Sequence, residues 1–284
     1  MSNIFKSISN CRICDSNEID EVMDLGSQPP ANSLYELNKP ESVPLRLLFC
    51  NKCSTVQLGE DVDPAYLFSE YLWITGTSET ALNYSKDFAE KALSQCKLDN
   101  QELFIVEIAS NDGTFLKQFQ KLGSKVLGID PAINIAELAS KQGVPTEASF
   151  FTKDLAEKLL NENSSADLVY ARNVIPHVKE IHSVIAGIEV LLSEDSVGII
   201  EFHNAGLLLK ELHYDYIYHE HLFYYTLTSI EALLNKHSLY IFDVSNSPIS
   251  GGSWVVYFSK NKRDKSEVFK TAKNSKIETF FTIN

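Results

Sequence analysis

Ten residues in the second half of the chain concentrate side chains able to move a proton. Tyr216–Tyr225 contains four tyrosines, two histidines and one glutamate. Histidine and glutamate can be tuned to accept a proton near neutral pH, and tyrosine can donate a hydrogen bond to a developing oxyanion. A second segment, Tyr170–Val178, adds Asn173 and His177. Proton transfer is one interpretation; an aromatic-rich helix start with surface histidines is the other.

The His-Glu-His triplet at residues 219–221 is not a zinc signature. The H-E-x-x-H motif needs its histidines one helical turn apart, and these are two residues apart. We therefore predict no catalytic metal in this segment.

Four of the five cysteines form two C-x-x-C pairs, Cys11/Cys14 and Cys50/Cys53. Two such turns complete the four-thiolate shell of a structural zinc site, whereas a redox pair is usually single and beside a βαβ unit. Four thiolates leave no open coordination position, so the predicted zinc is structural. Cys96 stands alone and is predicted to be a small buried apolar side chain.

Charge narrows the classes of partner. With 25 Lys+Arg against 38 Asp+Glu the net charge is −13, which opposes binding to nucleic acid phosphates or anionic membrane surfaces. No apolar run approaches the roughly 20 residues that span a bilayer, and the N-terminus has no signal-peptide pattern. We predict a cytoplasmic protein that binds neither nucleic acid nor membrane.

The chain divides into four predicted parts. Residues 1–60 form a zinc-stapled module, 61–98 a connector with a helix, 99–259 an α/β domain and 260–284 a tail. Alternating apolar and amphipathic segments in the third part predict a parallel sheet covered by helices, with ligands at the carboxyl ends of the strands. The predicted strands are Leu45–Phe49 in the zinc module, then Phe104–Ile108, Lys125–Asp130, Pro145–Ala148, Asp167–Ala171, Val197–Phe202, Tyr240–Val244 and Trp254–Phe258. The predicted helices are Glu79–Leu93, Phe115–Leu122, Ile133–Lys141, Lys153–Leu160, Ile181–Leu192 and Ser229–His237.

The first two strands of this domain end in carboxylates. Glu107 precedes the loop Ala109–Thr114, and Asp130 follows 23 residues after Glu107, where it can accept hydrogen bonds from a ribose diol. The loop lacks the G-x-G-x-x-G that a pyrophosphate needs, and Glu107 would repel one. A ribose-containing cation without phosphate, S-adenosylmethionine, fits better, although a plain α/β turn with exposed acids is the alternative. The residues predicted to line this cofactor are Glu107, Ala109, Asn111, Asp112, Asp130 and Asn173.

Taken together, these motifs resemble the nucleotide-sugar C-methyltransferase family, enzymes that place a methyl branch at C-3 of dTDP-linked 4-keto deoxysugars. The resemblance covers about residues 11–258, with Ala109 at the first glycine of the family's E-x-G-x-N-x-G loop. The motifs that carry it are the two C-x-x-C pairs, Tyr71-x-Trp73, Val106–Leu116, Gly128–Ala132, Ala171–Val178, Ile200–Phe202, Tyr218–Leu222 and Gly251–Ser253.

The resemblance implies an α/β fold, a class I methyltransferase Rossmann-like sheet preceded by a small zinc-binding domain. It also implies a reaction in which a base removes the proton next to a ketone and the resulting enolate takes the methyl group of S-adenosylmethionine. In that reaction His221 is the base and Glu220 positions it or shares its proton. Tyr218 and His177 donate hydrogen bonds to the substrate, and Tyr71 forms a third wall of the pocket.

The chain departs from the family at three places. Trp73 stands where a second tyrosine is common, and Ser250 and Trp254 flank the Gly-Gly-Ser motif in place of histidine and leucine. Family members also continue into a further C-terminal domain that helps to enclose the nucleotide sugar. We therefore expect the substrate that accepts the methyl group to be the nucleotide sugar, another activated sugar or a smaller ketone.

Three other functions remain open from the sequence. An O- or N-methyltransferase would use the same fold, with a histidine deprotonating a hydroxyl or amine. A zinc-bearing RNA methyltransferase is disfavoured by the charge of −13. A catalytically silent binding remnant of a longer enzyme is the alternative from another class.

Overall fold

In this computed structural model, the structure describes residues 4–31, 41–63, 67, 74–96, 102–275 and 278. Tyr71 and Trp73, which the sequence analysis singled out, lie outside the described residues. Among the helices of the described part, none has the length and apolar character to cross a membrane.

The N-terminal part is built from short antiparallel strands. Two of them, β1 and β5, pair with each other, and a four-stranded sheet has the order β11-β4-β3-β2. The predicted strand at residues 45–49 lies within β3. The fourth strand of this sheet, β11, comes from far along the chain. It belongs to the sequence between the fifth and sixth strands predicted for the α/β domain. The strands are β1 (Phe5–Ser7), β2 (Ile19–Gln28), β3 (Val43–Cys50), β4 (Val56–Leu58), β5 (Glu60–Val62) and β11 (Phe223–Tyr224).

A seven-stranded sheet forms the centre of the α/β part, in the order β12-β13-β10-β9-β6-β7-β8. Every strand predicted for this region is present, with boundaries that differ by a few residues. The strands are β6 (Phe104–Ile108), β7 (Lys125–Ile129), β8 (Thr146–Glu147), β9 (Ala166–Arg172), β10 (Leu192–His203), β12 (Tyr240–Ser247) and β13 (Ser253–Ser259).

One strand departs from the predicted parallel arrangement. β13 runs antiparallel to both β10 and β12. The reason is the connection between β12 and β13, a short turn that includes a 3-10 segment at Ile249–Gly251. A parallel return needs a crossover of a dozen or more residues, so this connection can only reverse the chain.

Helices cover the sheet, and those predicted from the sequence are all present. The helices of the described residues are α1 (Glu79–Gln95), α2 (Leu116–Lys121), α3 (Ile133–Lys141), α4 (Lys153–Glu162), α5 (Ile181–Leu191), α6 (Ala205–Lys210), α7 (Leu227–Asn235) and α8 (Glu267–Lys273). Helix α7 begins two residues earlier than predicted because Thr226 caps it: its hydroxyl accepts from the Ser229 N–H, and Ser229 reciprocates.

Both faces of the central sheet are buried. Along β6, Ile105 packs into one apolar cluster, while Val106 packs into the other. Alternate side chains of a strand point to opposite faces, so two cores lie on the two sides, as the continuous apolar run of a parallel strand indicates. Within the plane of the sheet, β7 pairs with one edge of β6, and β9, which comes later in the chain, pairs with the other edge. Ligands bind at such a switch point.

Glu278, the last residue that the structure describes, packs against this body. Glu278 is 3% exposed; it accepts hydrogen bonds from the Trp254 indole N–H at 2.8 Å and from the Leu227 backbone N–H at 2.5 Å. Trp254 is one of the departures from the family pattern, and this contact gives its indole a role.

Candidate active site

The loop after β6 has an unusual backbone. Ala109, Asn111 and Gly113 all have positive φ, at 56°, 51° and 74°. A side chain at residue 113 would meet Val144 within 3 Å, so only glycine fits there. Alanine in the left-handed region costs roughly 1–2 kcal/mol, and the backbone of this loop therefore explains why glycine is preferred where this chain has Ala109.

Glu107 and Asp130 end neighbouring strands, and both are buried. Glu107 accepts a hydrogen bond from the Tyr170 hydroxyl at 2.9 Å. Burial raises the pKa of Glu107 to about 8, against the opposing positive charge of Arg172. The Asp130 oxygens accept the N–H groups of Asn111 and Ala132, both at 2.9 Å, and burial raises its pKa. Each carboxylate oxygen has two lone pairs, so Asp130 can still accept from a ligand hydroxyl.

The side chains of Asn111 and Asp112 hold another part of the chain. The Thr75 N–H donates to the Asn111 side-chain oxygen at 2.8 Å, and the Gly76 N–H donates to Asp112 at 3.1 Å. A side chain at Gly76 would meet the Asp112 carboxylate at 2.4 Å. These two predicted cofactor residues therefore fasten the turn before α1 onto the loop, a role that the sequence analysis did not foresee.

A buried ion pair lies beside this loop and was also missed. Arg172 donates to Glu201 at 2.7 Å, and Ser247 donates to the other Glu201 oxygen at 2.6 Å. The Arg172 guanidinium lies 3.3 Å from the ring centroid of Phe115. The pair joins the carboxyl ends of β9 and β10, and its cation supports the residue that follows the loop.

His221 and Tyr218 meet in the segment that the sequence singled out. The His221 Nδ1 lies 2.8 Å from the Tyr216 carbonyl oxygen, and its Nε2 lies 2.9 Å from the Tyr218 hydroxyl. Because a carbonyl only accepts, Nδ1 carries the proton and Nε2 is the basic nitrogen. Burial lowers the pKa of His221 to about 3, and His177 acts in the same direction. The imidazole is therefore neutral near pH 7.

His177 packs against the His221 imidazole, with ring centroids 4.6 Å apart. Its Nδ1 lies 3.0 Å from the Glu220 carbonyl oxygen, and burial lowers its pKa to about 4. The proton therefore sits on Nδ1 and leaves Nε2 as an acceptor. This tautomer is opposite to the one needed for the predicted donor role. Glu220, buried, thus acts on His177 through its backbone.

A cavity of about 200 Å³ brings these groups together. It also contains His203, the last residue of β10, which the sequence analysis missed. His203 stacks on Tyr216 with centroids 4.1 Å apart, and its Nε2 is buried with no hydrogen-bond partner among the described residues. Its place at the carboxyl end of a parallel strand was the available signal. The lining residues are Asn173, Pro176, His177, His203, Ala205, Tyr216, Tyr218, His221, Phe223 and Tyr224.

The cavity and the loop Ala109–Thr114, predicted to bind the cofactor, lie at adjacent strand ends. Asn173 follows β9 with a φ of 52°, and its N–H donates to the Glu201 carbonyl at 2.8 Å. It lines the cavity, so it stands between the two groups of residues. Tyr71, the predicted third wall, lies outside the described residues.

The four cysteines of the C-x-x-C pairs come together. Their sulfur atoms all lie within 4.8 Å of one another, with Cys11 to Cys53 and Cys14 to Cys50 both at 3.5 Å. A tetrahedral zinc with sulfur ligands at about 2.3 Å sets its sulfurs about 3.8 Å apart, so the donor set and its size fit zinc. Cys96 is separate and half-buried, with its thiol near the Ala92 carbonyl.

Comparison with known proteins agrees with both parts. Residues 11–68 match a family described as "Putative zinc binding domain", and residues 83–243 match one described as "Methyltransferase domain". The second match covers more than half of the chain. The chain belongs to the methyltransferase-domain family. Its α/β part has the class I methyltransferase Rossmann-like fold, and the four-cysteine segment precedes it.

Individual relatives are more distant. The chain is 31% identical over 261 residues to C-methyltransferase NovU of Streptomyces niveus, covering 90% of this chain and 62% of that relative. The chain thus spans less than two thirds of that relative's length. A methyltransferase from Anabaena variabilis has a TM-score of 0.50 at 15% identity, covering 69% of this chain and 90% of that one. Magnesium protoporphyrin IX methyltransferase from Synechocystis, with bound S-adenosylmethionine, has a TM-score of 0.48 at 12% identity, covering 64% and 80%.

Proposed function

We propose that this methyltransferase transfers a methyl group to the carbon next to the ketone of an activated, nucleotide-linked 4-keto deoxysugar. The observation that carries the proposal is the geometry of His221, whose basic Nε2 faces the Tyr218 hydroxyl at 2.9 Å in a partly open cavity. The similarity to a C-methyltransferase supports the choice of carbon as the acceptor. The cavity is smaller than the roughly 300–1,000 Å³ of drug-sized ligand sites, so it suits one sugar ring, with the nucleotide outside it.

S-adenosylmethionine supplies an electrophilic methyl group on a sulfonium, and four residues form the site that we propose for it. Glu107 faces the cationic part, and Asp130 accepts from the ribose hydroxyls. Ala109 shapes the loop backbone and Asn173 closes the side towards the sugar. Asn111 and Asp112 act indirectly, by holding the turn at residues 75–76 against the loop.

His221 performs the proton transfer. Its Nε2 takes the proton from the carbon next to the ketone, and the electron pair moves to the carbonyl oxygen as an enolate. The enolate carbon would then take the methyl group. Its electron pair would form the new carbon–carbon bond as the C=O bond re-forms, the carbon–sulfur pair would stay on sulfur, and the proton held by Nε2 passes to solvent. A base with a pKa of about 3 takes such a proton reluctantly, so the oxygen needs strong donors.

Tyr218 is the donor that we assign to that oxygen. Its hydroxyl can leave Nε2 as the substrate enters and turn towards the carbonyl. His177, with Nε2 as an acceptor, is better suited to a sugar hydroxyl than to the enolate. Glu220 places the His177 ring through its carbonyl, and the four cysteines hold the structural zinc.

Exchange of the substrate proton with solvent tests this proposal. The protein is incubated in deuterium oxide with dTDP-4-keto-6-deoxyglucose and S-adenosylhomocysteine, so that no methyl transfer occurs. We expect the wild type to incorporate deuterium at the carbon next to the ketone. His221→Asn should lose this incorporation, and His237→Asn, a change at a histidine outside the cavity, should retain it. No exchange above background by the wild type, with O- or N-methylated product when the methyl donor is present, would refute it.

A further inference from the structure

Residues 216–225 include the proposed base, His221, and are called the base segment below. This segment also contributes a strand, β11, to the four-stranded sheet of the zinc-binding domain. In β11, Phe223 pairs with Gln57 of β4, and the Leu58 N–H donates to the Leu222 carbonyl at 3.0 Å. Strand β4 begins three residues after Cys53. One side of the base segment is therefore fixed by a strand that leaves the second cysteine pair directly.

A second contact joins the same two parts. The His219 ring is 1% exposed, and its Nε2 lies 3.1 Å from the carbonyl oxygen of Val43 in β3. His219 is two residues from His221, so the base segment contacts both β4 and β3. The position of His221 thus depends on the position of two zinc-domain strands.

Gln57 connects this sheet to the first cysteine pair. Its side chain is fully buried; the amide oxygen accepts the Arg12 N–H at 2.9 Å, and the amide nitrogen donates to the Asn10 carbonyl at 3.2 Å. Arg12 lies between Cys11 and Cys14. Each cysteine pair and the turn that holds it is called a knuckle here, and the first is Cys11–Cys14. Gln57 therefore contacts the first knuckle through its side chain and the base segment through its backbone.

We propose that the zinc-bound knuckles position the proton-transfer base through Gln57. A module of this size depends on its metal for a fixed structure, and without the ion or the Gln57 amide the β4–β11 pairing loses its support. Gln57 is a positioning residue, since it touches no reacting atom. The catalytic consequence rests on the function proposed for His221, whereas the coupling of zinc to β11 does not.

Hydrogen exchange measured by mass spectrometry tests the coupling without any substrate. Three samples are compared: the zinc-loaded protein, the same protein stripped by a chelator, and zinc-loaded Gln57→Leu. We expect the Leu58 amide and the 219–225 peptide to exchange at least tenfold faster in the second and third samples, with protection of the 104–108 peptide unchanged. Gln118→Leu, a change at a similarly buried glutamine in α2, is the matched control and should behave as wild type.

Two results would overturn the coupling. One is unchanged protection at Leu58 and in the 219–225 peptide after zinc removal and in Gln57→Leu. The other is equal loss of protection in the 104–108 peptide, which would mean general unfolding. Native mass spectrometry should still find one zinc on Gln57→Leu, since its cysteines are intact, and loss of that zinc would contradict the role of Gln57 as a connector.

Kinetics test the positioning role. In Gln57→Leu we expect the rate of deuterium exchange at saturating substrate to fall at least tenfold, with the Kd for S-adenosylhomocysteine unchanged, because the cofactor site lies on other strands. If the wild type shows no exchange, the proposed function fails and this role fails with it, while the coupling is still decided by the amide data. An active wild type with an equally active Gln57→Leu overturns the positioning role alone.

Discussion

Binding of the methyl donor should release a proton from Glu107 in this protein. The carboxyl is buried, holds a hydrogen bond from Tyr170, and has a pKa that burial raises to about 8. At neutral pH the free protein therefore carries a mostly protonated Glu107. S-adenosylmethionine brings a sulfonium and an ammonium group to this loop in the proposed site, and both favour the ionised carboxylate. The cofactor should thus bind more tightly as pH rises.

The size of the effect follows from the fraction of ionised Glu107. With a pKa of about 8 this fraction is about 1% at pH 6 and about 24% at pH 7.5, so the affinity should rise about 25-fold over that interval by proton linkage. The histidines of the neighbouring cavity, with lowered pKa values of about 3 and 4, do not titrate there. The same shift has the opposite sign for stability: the folded state keeps a proton that the unfolded state loses, so the free energy of unfolding falls as pH rises from about 4.5, the ordinary pKa of the carboxyl, to about 8, and then levels off.

Isothermal titration calorimetry with S-adenosylmethionine between pH 6 and 7.5 measures both affinity and proton release, the latter from runs in buffers of different ionisation enthalpy. In Glu107→Gln the Tyr170 hydroxyl keeps an acceptor, and the pH dependence should vanish together with the proton release. Asp130→Asn should bind more weakly and keep the slope. A wild-type affinity that does not change with pH, or an equal slope in Glu107→Gln, would refute the assignment of the proton to Glu107.

Three further substitutions have defined expectations. His203→Phe keeps the stack on Tyr216 but removes the buried Nε2, so the KM for the keto-sugar should rise about tenfold, the value of one hydrogen bond, with the KM for the methyl donor unchanged; equal KM values would exclude substrate contact by His203. Ala109→Gly relieves a left-handed alanine but gains unfolded-state entropy, so urea denaturation should show a free energy of unfolding higher by up to about 1 kcal/mol, and a clear decrease would contradict the strain. Trp254→Phe removes the indole donor to Glu278 and should cost about 1–3 kcal/mol in the same assay, whereas an unchanged midpoint would show that this contact contributes nothing to stability.

The sequence predicted best what depends on neighbours along the chain. Strand β6 is apolar except for Glu107 because both faces of a parallel strand are buried, and its boundaries, residues 104–108, were predicted without error. Glu107 and Asp130 were predicted to lie close together because the carboxyl ends of adjacent parallel strands meet at one edge of the sheet; both are buried there, and their role towards the cofactor stays a prediction. The antiparallel direction of β13 was missed because the short connection after β12, and not the strand itself, determines it.

Contacts between distant segments could not be predicted in this way. The sequence around Asn111 and Asp112 predicts ligand-binding side chains. Nothing local indicates that the backbone N–H groups of residues 75–76, 36 positions away, donate hydrogen bonds to their side-chain oxygens. His203 ends an apolar strand and has no motif of its own. Strand β11 has only two residues, too few for any periodicity. Its partner, β4, belongs to the N-terminal part of the chain, so no neighbouring sequence indicates the pairing.

In the proposed site, one strand sets the spacing between the methyl donor and the base. Tyr170 and Arg172 lie two residues apart on β9 and so on one face; the first holds Glu107 and the second holds Glu201. The next residue, Asn173, takes a positive φ and turns the chain into the 3-10 segment Ile175–His177. Three residues of β9 and its end, Tyr170, Arg172 and Asn173, therefore fix the strand before the predicted cofactor loop, the neighbouring strand and the wall of the cavity. Methyl transfer requires the carbon and the sulfonium to meet in line within about 3–3.5 Å, a tolerance that rigid strand ends can hold more closely than loops.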